Sequence, residues 1–221
     1  MTTPSPSLPD PSSVGGIILA GGKSTRMGRS KADLPFGDEL MLPRVVRILG
    51  AVTSPIVVVG APEQVLPELP AATLVTRDEV ADRGPLQGLA AGFKALAGQC
   101  EAAFACSCDV PLLKPSFVKQ MIDLLGTHDI AVPFVDDFHH PLAAVYRLLV
   151  LEQIEGLLAA DRRRPVFLFE SADTRIVPRE KLVGADPELD SLRNCNRPED
   201  YEEALARGMG REERGVKREV R

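Results

Sequence analysis

Apolar residues along this chain fall into short blocks separated by turns and amphipathic stretches. The run Val14–Ala20 ends in glycines and reads as a buried strand. Ile56-Val57-Val58-Val59, β-branched and bounded by Pro55 and Gly60, reads as another. Thr73-Leu74-Val75, Ala102–Cys106, Ile130-Ala131-Val132 and Ala143–Tyr146 complete the predicted strands. Between them apolar residues recur at helical spacing over Leu42–Val52, Leu86–Leu96, Ser116–Leu125 and Leu148–Ala160, with Lys114-Pro115 as a start signal for the third. Pro198–Arg207, acidic in its first turn, closes the pattern as a last helix. Strands alternating with helices predict an α/β fold, a mostly parallel sheet covered on both faces. Ligands of such sheets bind beyond the carboxyl ends of the strands, where the strand order reverses.

The two ends break the pattern. Residues 1–13 are rich in Pro and Ser and predict a disordered N-terminal tail. Residues 208–221 are charged and punctuated by glycine, which predicts a flexible C-terminal tail. The folded unit expected between them is 14–207, within the size of one domain.

Composition narrows the class. With 44% apolar residues the chain is an ordinary globular protein, and a formal charge of −5 argues against a nucleic-acid partner. No apolar run approaches the roughly 20 residues that span a bilayer, so no membrane partner is expected. Cys100, Cys106, Cys108 and Cys195 lack paired C-x2-C knuckles and read as reduced, packed thiols, which suits a cytoplasmic protein.

The candidate chemistry begins where the first strand ends, in Leu19-Ala20-Gly21-Gly22-Lys23-Ser24-Thr25-Arg26-Met27-Gly28-Arg29-Ser30-Lys31. Glycines let backbone approach phosphate oxygens, and Lys23, Arg26, Arg29 and Lys31 bring the charge a triphosphate needs. The loop is not a Walker loop, because Ile17 stands where that pattern requires glycine. Nor does it contain G-x-G-x-x-G. A second candidate is Asp109, just beyond the block Ala102–Cys106. A carboxylate there can hold Mg2+ against phosphate oxygens, although alone it also reads as a turn residue. Asp78, before the turn Asp82-Arg83-Gly84-Pro85, reads on its own as a turn residue. Arg162-Arg163-Arg164 reads as a solvated face or as an attractor for an anionic acceptor.

The pattern L-A-G-G-x-S-x-R-M-G-x-x-K, nine fixed positions in thirteen, resembles the signature loop of the molybdenum cofactor guanylyltransferase family. Gly84-Pro85-Leu86-Gln87-Gly88, Cys108-Asp109-Val110-Pro111-Leu112, His140-Pro141-Leu142 and Asn194-Cys195-Asn196-Arg197-Pro198-Glu199 resemble later segments of that family, in its order. The resemblance implies a three-layer α/β/α Rossmann-like nucleotidyltransferase fold. It implies transfer of GMP from GTP to the terminal phosphate of molybdopterin, or of the molybdenum cofactor, with release of pyrophosphate. It also implies Mg2+ held by Asp109, and transient contact with other cofactor-biosynthesis or molybdoenzyme-maturation proteins. Leu19, Ala20, Gly21 and Gly22 are expected at the nucleotide, the amides of Ala20–Gly22 holding the donor. Lys31, Asp78, Gly84, Pro85 and Asp109 are expected there too. Arg26 and Lys31 would stabilise charge on the α-phosphate and the departing pyrophosphate, and His140, Asn194 and Asn196 would lie on the acceptor side. His139 is assigned no role.

Two positions depart from the family pattern: Gly60 stands in place of an asparagine, and Arg197 in place of a threonine. Three alternatives stay open at this level: a cytidylyltransferase for the same cofactor, a sugar-phosphate nucleotidyltransferase, and an inactive nucleotide- or cofactor-binding module.

Overall fold

The structure, a computed structural model, describes residues 14–21, 30–78 and 84–219, with side chains through residue 208. In chain order the elements are β1 (Val14–Leu19), β2 (Pro35–Phe36), β3 (Glu39–Leu40), α1 (Met41–Gly50), β4 (Ile56–Gly60), β5 (Leu74–Arg77), α2 (Pro85–Leu96), β6 (Ala102–Ser107), α3 (Pro115–Leu125), β7 (Ile130–Val135), β8 (Phe138–His139), β9 (Ala143–Arg147), α4 (Leu151–Ala159), α5 (Val166–Ser171), β10 (Thr174–Pro178) and α6 (Pro198–Glu219). The main sheet runs β10-β7-β9-β6-β1-β4-β5, with β8 paired to β7. β1 pairs in parallel with β4 and β6, β4 with β5, and β10 with β7, while β9 runs antiparallel to both of its neighbours. β2 and β3 form a separate small hairpin.

Successive strand residues point to opposite faces, and the two cores separate on that rule. Ile18, Val58 and Phe104 pack with Leu42, Val45 and Leu49 of α1 and with Phe117, Met121 and Leu125 of α3. Ile17, Val57, Val59 and Ala105 face the other way, against Leu86, Leu89 and Phe93 of α2, Ile154 of α4 and Leu168 of α5. Strands buried on both faces need continuous apolar runs, which is why these blocks were legible. The expected three-layer, mostly parallel architecture is therefore the observed one. From β1 the chain winds through α1 to β4 and β5, then crosses by α2 to β6 on the opposite side of β1. The strand order thus reverses between β1 and β6, and the crevice at their carboxyl ends is the expected ligand position.

The chain's close differs from expectation. The last helix does not end near Arg207 but continues to Glu219. Gly208 is not a stop. A Cβ there would lie 2.8 Å from Phe36, so the glycine lets the helix pack closely on the β2–β3 hairpin. Glu203 and Arg207, one turn apart at 3.0 Å, add modest support. Residues 1–13 lie outside the described residues. No helix among those described is long and apolar enough to cross a membrane.

Candidate active site

The register Leu19↔Ser107 sets the ends of β1 and β6 side by side, and the Cys108 amide extends the pairing by donating to the Leu19 carbonyl at 3.0 Å. Asp109 therefore emerges beside the glycine loop. It is only 5% exposed, so its carboxylate must be paired or hydrogen-bonded to persist as a charge. Three side chains meet that need. The Ser107 hydroxyl and Asn194 Nδ2 (2.9 Å) donate to Oδ1, and Lys31 Nζ lies 2.6 Å from Oδ2. Lys31 opens a short 3-10 turn, Lys31–Asp33, and its ammonium also donates to Asn196 Oδ1 at 2.9 Å. Lys31, Asp109, Asn194 and Asn196 thus come from three distant segments into one cluster.

The segment carrying the two asparagines is stapled down. The Cys195 amide donates to the Asp109 carbonyl at 2.9 Å. The Lys114 amide donates to the Ser191 hydroxyl at 3.0 Å, and Asp186 accepts from the Ser191 amide at 2.8 Å and from the Lys114 ammonium. Asp186 and Asp190 have no exposed surface. Lys114, Arg193 and Arg207, each within 3.4 Å of Asp190, supply the charge that its burial demands. Arg44 of α1 anchors the turn after Asp109 by donating to the Pro111 carbonyl at 2.9 Å. Cys108 and Cys195 flank Asp109, but burial, reinforced by that carboxylate, pushes both thiols up to about 12. They stay protonated and serve as packing groups.

On the other side of β1 the partners are mostly backbone. The amides of Ala20 and Gly21 donate to the Val59 carbonyl at 2.8 and 3.3 Å. This corrects the expectation that they hold the donor, because they extend the β1–β4 pairing instead. The Ala20 carbonyl accepts from Gln64 Nε2, and Gln64 Oε1 accepts from the Ala61 amide, both at 3.0 Å. The Leu19 side chain packs against Gly88, where a Cβ would meet it at 3.1 Å, and this sets the first turn of α2 over the end of β1. Gly84 caps that helix at φ 79°, a left-handed conformation that glycine adopts without strain, and Pro85 occupies the first turn. The Asp78 amide donates to the Gly60 carbonyl at 2.9 Å, at the end of β5. Gly22, Lys23, Arg26 and Arg29 lie outside the described residues.

A cavity of about 300 Å³ opens beside the cluster, lined among others by His140, Pro141, Leu142, Ser191, Asn194 and Asn196. The three residues expected on the acceptor side therefore share one wall, and the asparagines join it to Lys31 and Asp109. Burial, aided slightly by His139, holds His140 below its ordinary pKa of 6.5, against a backbone hydrogen bond and Asp136. His139 stacks between Phe134 and Phe169, centroids 4.9 and 5.2 Å away, as a packing residue. The Arg197 side chain is exposed, and its amide and that of Asn196 are capped by Asp200.

The described residues hold no group of three or more His, Cys, Asp or Glu side chains able to cage a metal. Asp109 suits the opposite arrangement. A carboxylate has about four acceptor positions, so Ser107, Asn194 and Lys31 leave one for a cation. Mg2+ is commonly held by one or two carboxylates together with substrate phosphates and water. The donor set fits such a shared ion.

The MobA-like NTP transferase domain family matches residues 16–174. The chain belongs to this family. A Mycobacterium avium protein described as a probable molybdenum cofactor guanylyltransferase is 35% identical over 183 residues, which cover 80% of this chain and 91% of that protein. In fold the chain resembles molybdopterin-guanine dinucleotide biosynthesis protein A from Archaeoglobus fulgidus, with a TM-score of 0.71 at 22% identity, covering 87% of this chain and 97% of that one. A cytidylyltransferase from Leptospira borgpetersenii shares the architecture at a TM-score of 0.62 and 20% identity, over 86% of this chain and 83% of its own. The fold of this MobA-like nucleotidyltransferase is thus common to enzymes named for different bases.

Ser107, Gln64, Lys114 and Asp186 carry no site signal in the sequence, where Lys114 reads only as part of a helix start. Ser107 stands two residues before Asp109, a spacing that suggests a shared strand face. The others act across 44 to 77 residues of chain, and no local pattern marks them.

Proposed function

We propose that this enzyme transfers GMP from GTP to the terminal phosphate of molybdopterin, forming the guanine dinucleotide cofactor and pyrophosphate, with Mg2+ held at Asp109. The observation that carries the reading is the cluster of Lys31, Asp109, Asn194 and Asn196 at the reversal between β1 and β6, opening onto the His140 cavity. An oxygen of the acceptor's terminal phosphate attacks the α-phosphorus of GTP. The bond from that phosphorus to the bridging oxygen breaks, and pyrophosphate leaves. The attacker is already an anion, so no strong base is required, and the barrier is mainly the meeting of two polyanions. Mg2+, when bound, supplies phosphate charge neutralisation.

This chain's own residues do the rest. The Lys31 ammonium faces the phosphates from a fixed position, because Asp109 and Asn196 both accept from it. Asn194 and Ser107 orient the Asp109 carboxylate, so little reorganisation remains at the moment of reaction. Neutral His140 lines the acceptor side without adding charge. Arg26 is assigned to the departing pyrophosphate on its place in the loop pattern. The same reading puts the reaction in a reducing cytoplasm, supported by four unpaired cysteines.

The test is pyrophosphate release with Mg2+, molybdopterin and each of GTP, ATP, CTP and UTP. Turnover with GTP at least tenfold above the others is expected. Preference for CTP, or no turnover with any triphosphate, overturns the reading.

A further inference from the structure

We propose that Arg77 is a specificity-determining residue that reads the O6/N7 edge of the guanine base; the assignment rests on GTP being the donor. Arg77 ends β5 and pairs in register with Gly60 at the end of β4. Its side chain folds back across that glycine. A Cβ on Gly60 would fall 2.3 Å from Arg77 Nη1 and 3.4 Å from Cζ, so the guanidinium occupies the space a side chain there would fill. Nη1 donates to the Ala61 carbonyl at 3.3 Å. On its other side Ala61 meets the loop, since a Cβ on Gly21 would lie 3.1 Å from the Ala61 amide nitrogen. Gly21, Ala61 and Arg77 thus form a continuous surface across the carboxyl ends of β1, β4 and β5.

Placement and chemistry agree. The phosphate-binding cluster lies at β1 and β6. Neighbouring strands are about 4.8 Å apart, so the three gaps from β6 to β5 span roughly 14 Å. A nucleotide with its phosphates at Asp109 and Lys31 and its length along the strand ends brings its base towards β4 and β5. Gly60 offers it no side chain. Among the described residues Arg77 makes one long hydrogen bond and no ion pair, and its guanidinium carries five N–H donors in a planar fork. Guanine presents two adjacent acceptors, O6 and N7, which match that fork. Adenine places an amino donor beside its N7, and cytosine offers an amino donor. A desolvated guanidinium beside either donor is left unpaired, so the same contact that accepts GTP rejects ATP and CTP.

The test compares GTP with 7-deaza-GTP, in which N7 is a C–H, and with ITP, which keeps O6 and N7. The wild type, Arg77→Ala and Arg77→Lys are assayed by kcat/KM for pyrophosphate release and by Kd for each nucleotide. The wild type should lose about tenfold from GTP to 7-deaza-GTP, the order of one base contact. Arg77→Ala should lower GTP and ITP use by about ten- to a hundredfold and bring GTP and 7-deaza-GTP to the same value. Arg77→Lys keeps the charge but not the fork, and should also lose the preference for N7. Equal losses for GTP and 7-deaza-GTP in Arg77→Ala, or unchanged GTP use, overturn the assignment while leaving the guanylyl reaction standing. A wild type that ignores GTP overturns both, and that result appears before any variant is made.

Discussion

On the β6 side of β1 the site is held by side chains. Asp109 receives Ser107, Lys31 and Asn194, Lys31 also reaches Asn196, and two fully buried aspartates clamp the segment that carries the asparagines. On the β4–β5 side it is held mostly by backbone. Ala20 and Gly21 lean on Val59, Asp78 on Gly60, and the side chains of Gln64 and Arg77 reach only to main-chain atoms. The difference matches what the proposed reaction asks of each side. On the proposed reaction charge develops and moves near Asp109, and a group that stabilises such charge works best when already fixed in place. A base is neutral, and the surface reading it needs shape and a few donors left unclaimed. Losses on the first side should therefore appear in kcat, and losses on the second in KM.

The largest effect expected is from Asp109→Asn. The substitution keeps the shape and can still accept from Ser107 and Asn194, but it removes the charge opposite Lys31 and the anionic ligand proposed for Mg2+. Pyrophosphate release should fall by about a thousandfold in kcat, with circular dichroism and thermal melting reporting a folded protein. Normal turnover by this variant would remove the functional meaning of the dense side.

Gln64→Ala probes the other side at a smaller scale. One side chain there satisfies two backbone groups, the Ala20 carbonyl and the Ala61 amide. Losing such a tie is worth about 1 kcal/mol, or roughly a fivefold rise in KM for GTP with kcat nearly unchanged. Steady-state kinetics with saturating acceptor decides it. A fall in kcat instead would mean that the β4–β5 side is as preorganised for the reaction as the β6 side, and the contrast would collapse.

What the sequence made legible follows the same divide between local and distant interactions. The doubly covered strands were readable because burial on both faces demands unbroken apolar runs, as in Ile56–Val59. Lys31 and Asp109 were readable because their neighbours in the chain carry the pattern. β10 was not, since Thr174–Pro178 is an edge strand with exposed Ile176 and a proline. Gly208 misled, because its role is a close approach to Phe36 that lies 172 residues away in the chain. The amides of Ala20 and Gly21 misled in another way: a glycine loop suggests free donors, and only the position of Val59 reveals that they are taken. Gln64, Arg77 and Asp186 act through partners brought near by the fold, and their types are unremarkable in sequence.

The smallest effect concerns pH and tests whether the cavity wall on the dense side is as desolvated as its packing implies. Burial holds His140 below its ordinary value of 6.5 in the folded protein. The unfolded chain therefore binds a proton at this residue at a higher pH than the folded one does. By linkage the native state is favoured fully above pH 6.5, and that contribution is lost progressively as pH falls from 6.5 through the folded value. Thermal melts of the wild type and of His140→Gln, taken from pH 8 to pH 5, should converge in slope above neutrality. Below about pH 6.5 the wild-type Tm should fall more steeply, because the variant has no imidazole to protonate. Parallel profiles would mean that His140 is as well solvated as the open β4–β5 surface. The cavity would then owe its character to its other lining residues, Asn194 and Asn196 among them, and desolvation of its wall could no longer be counted among the features that separate the two sides.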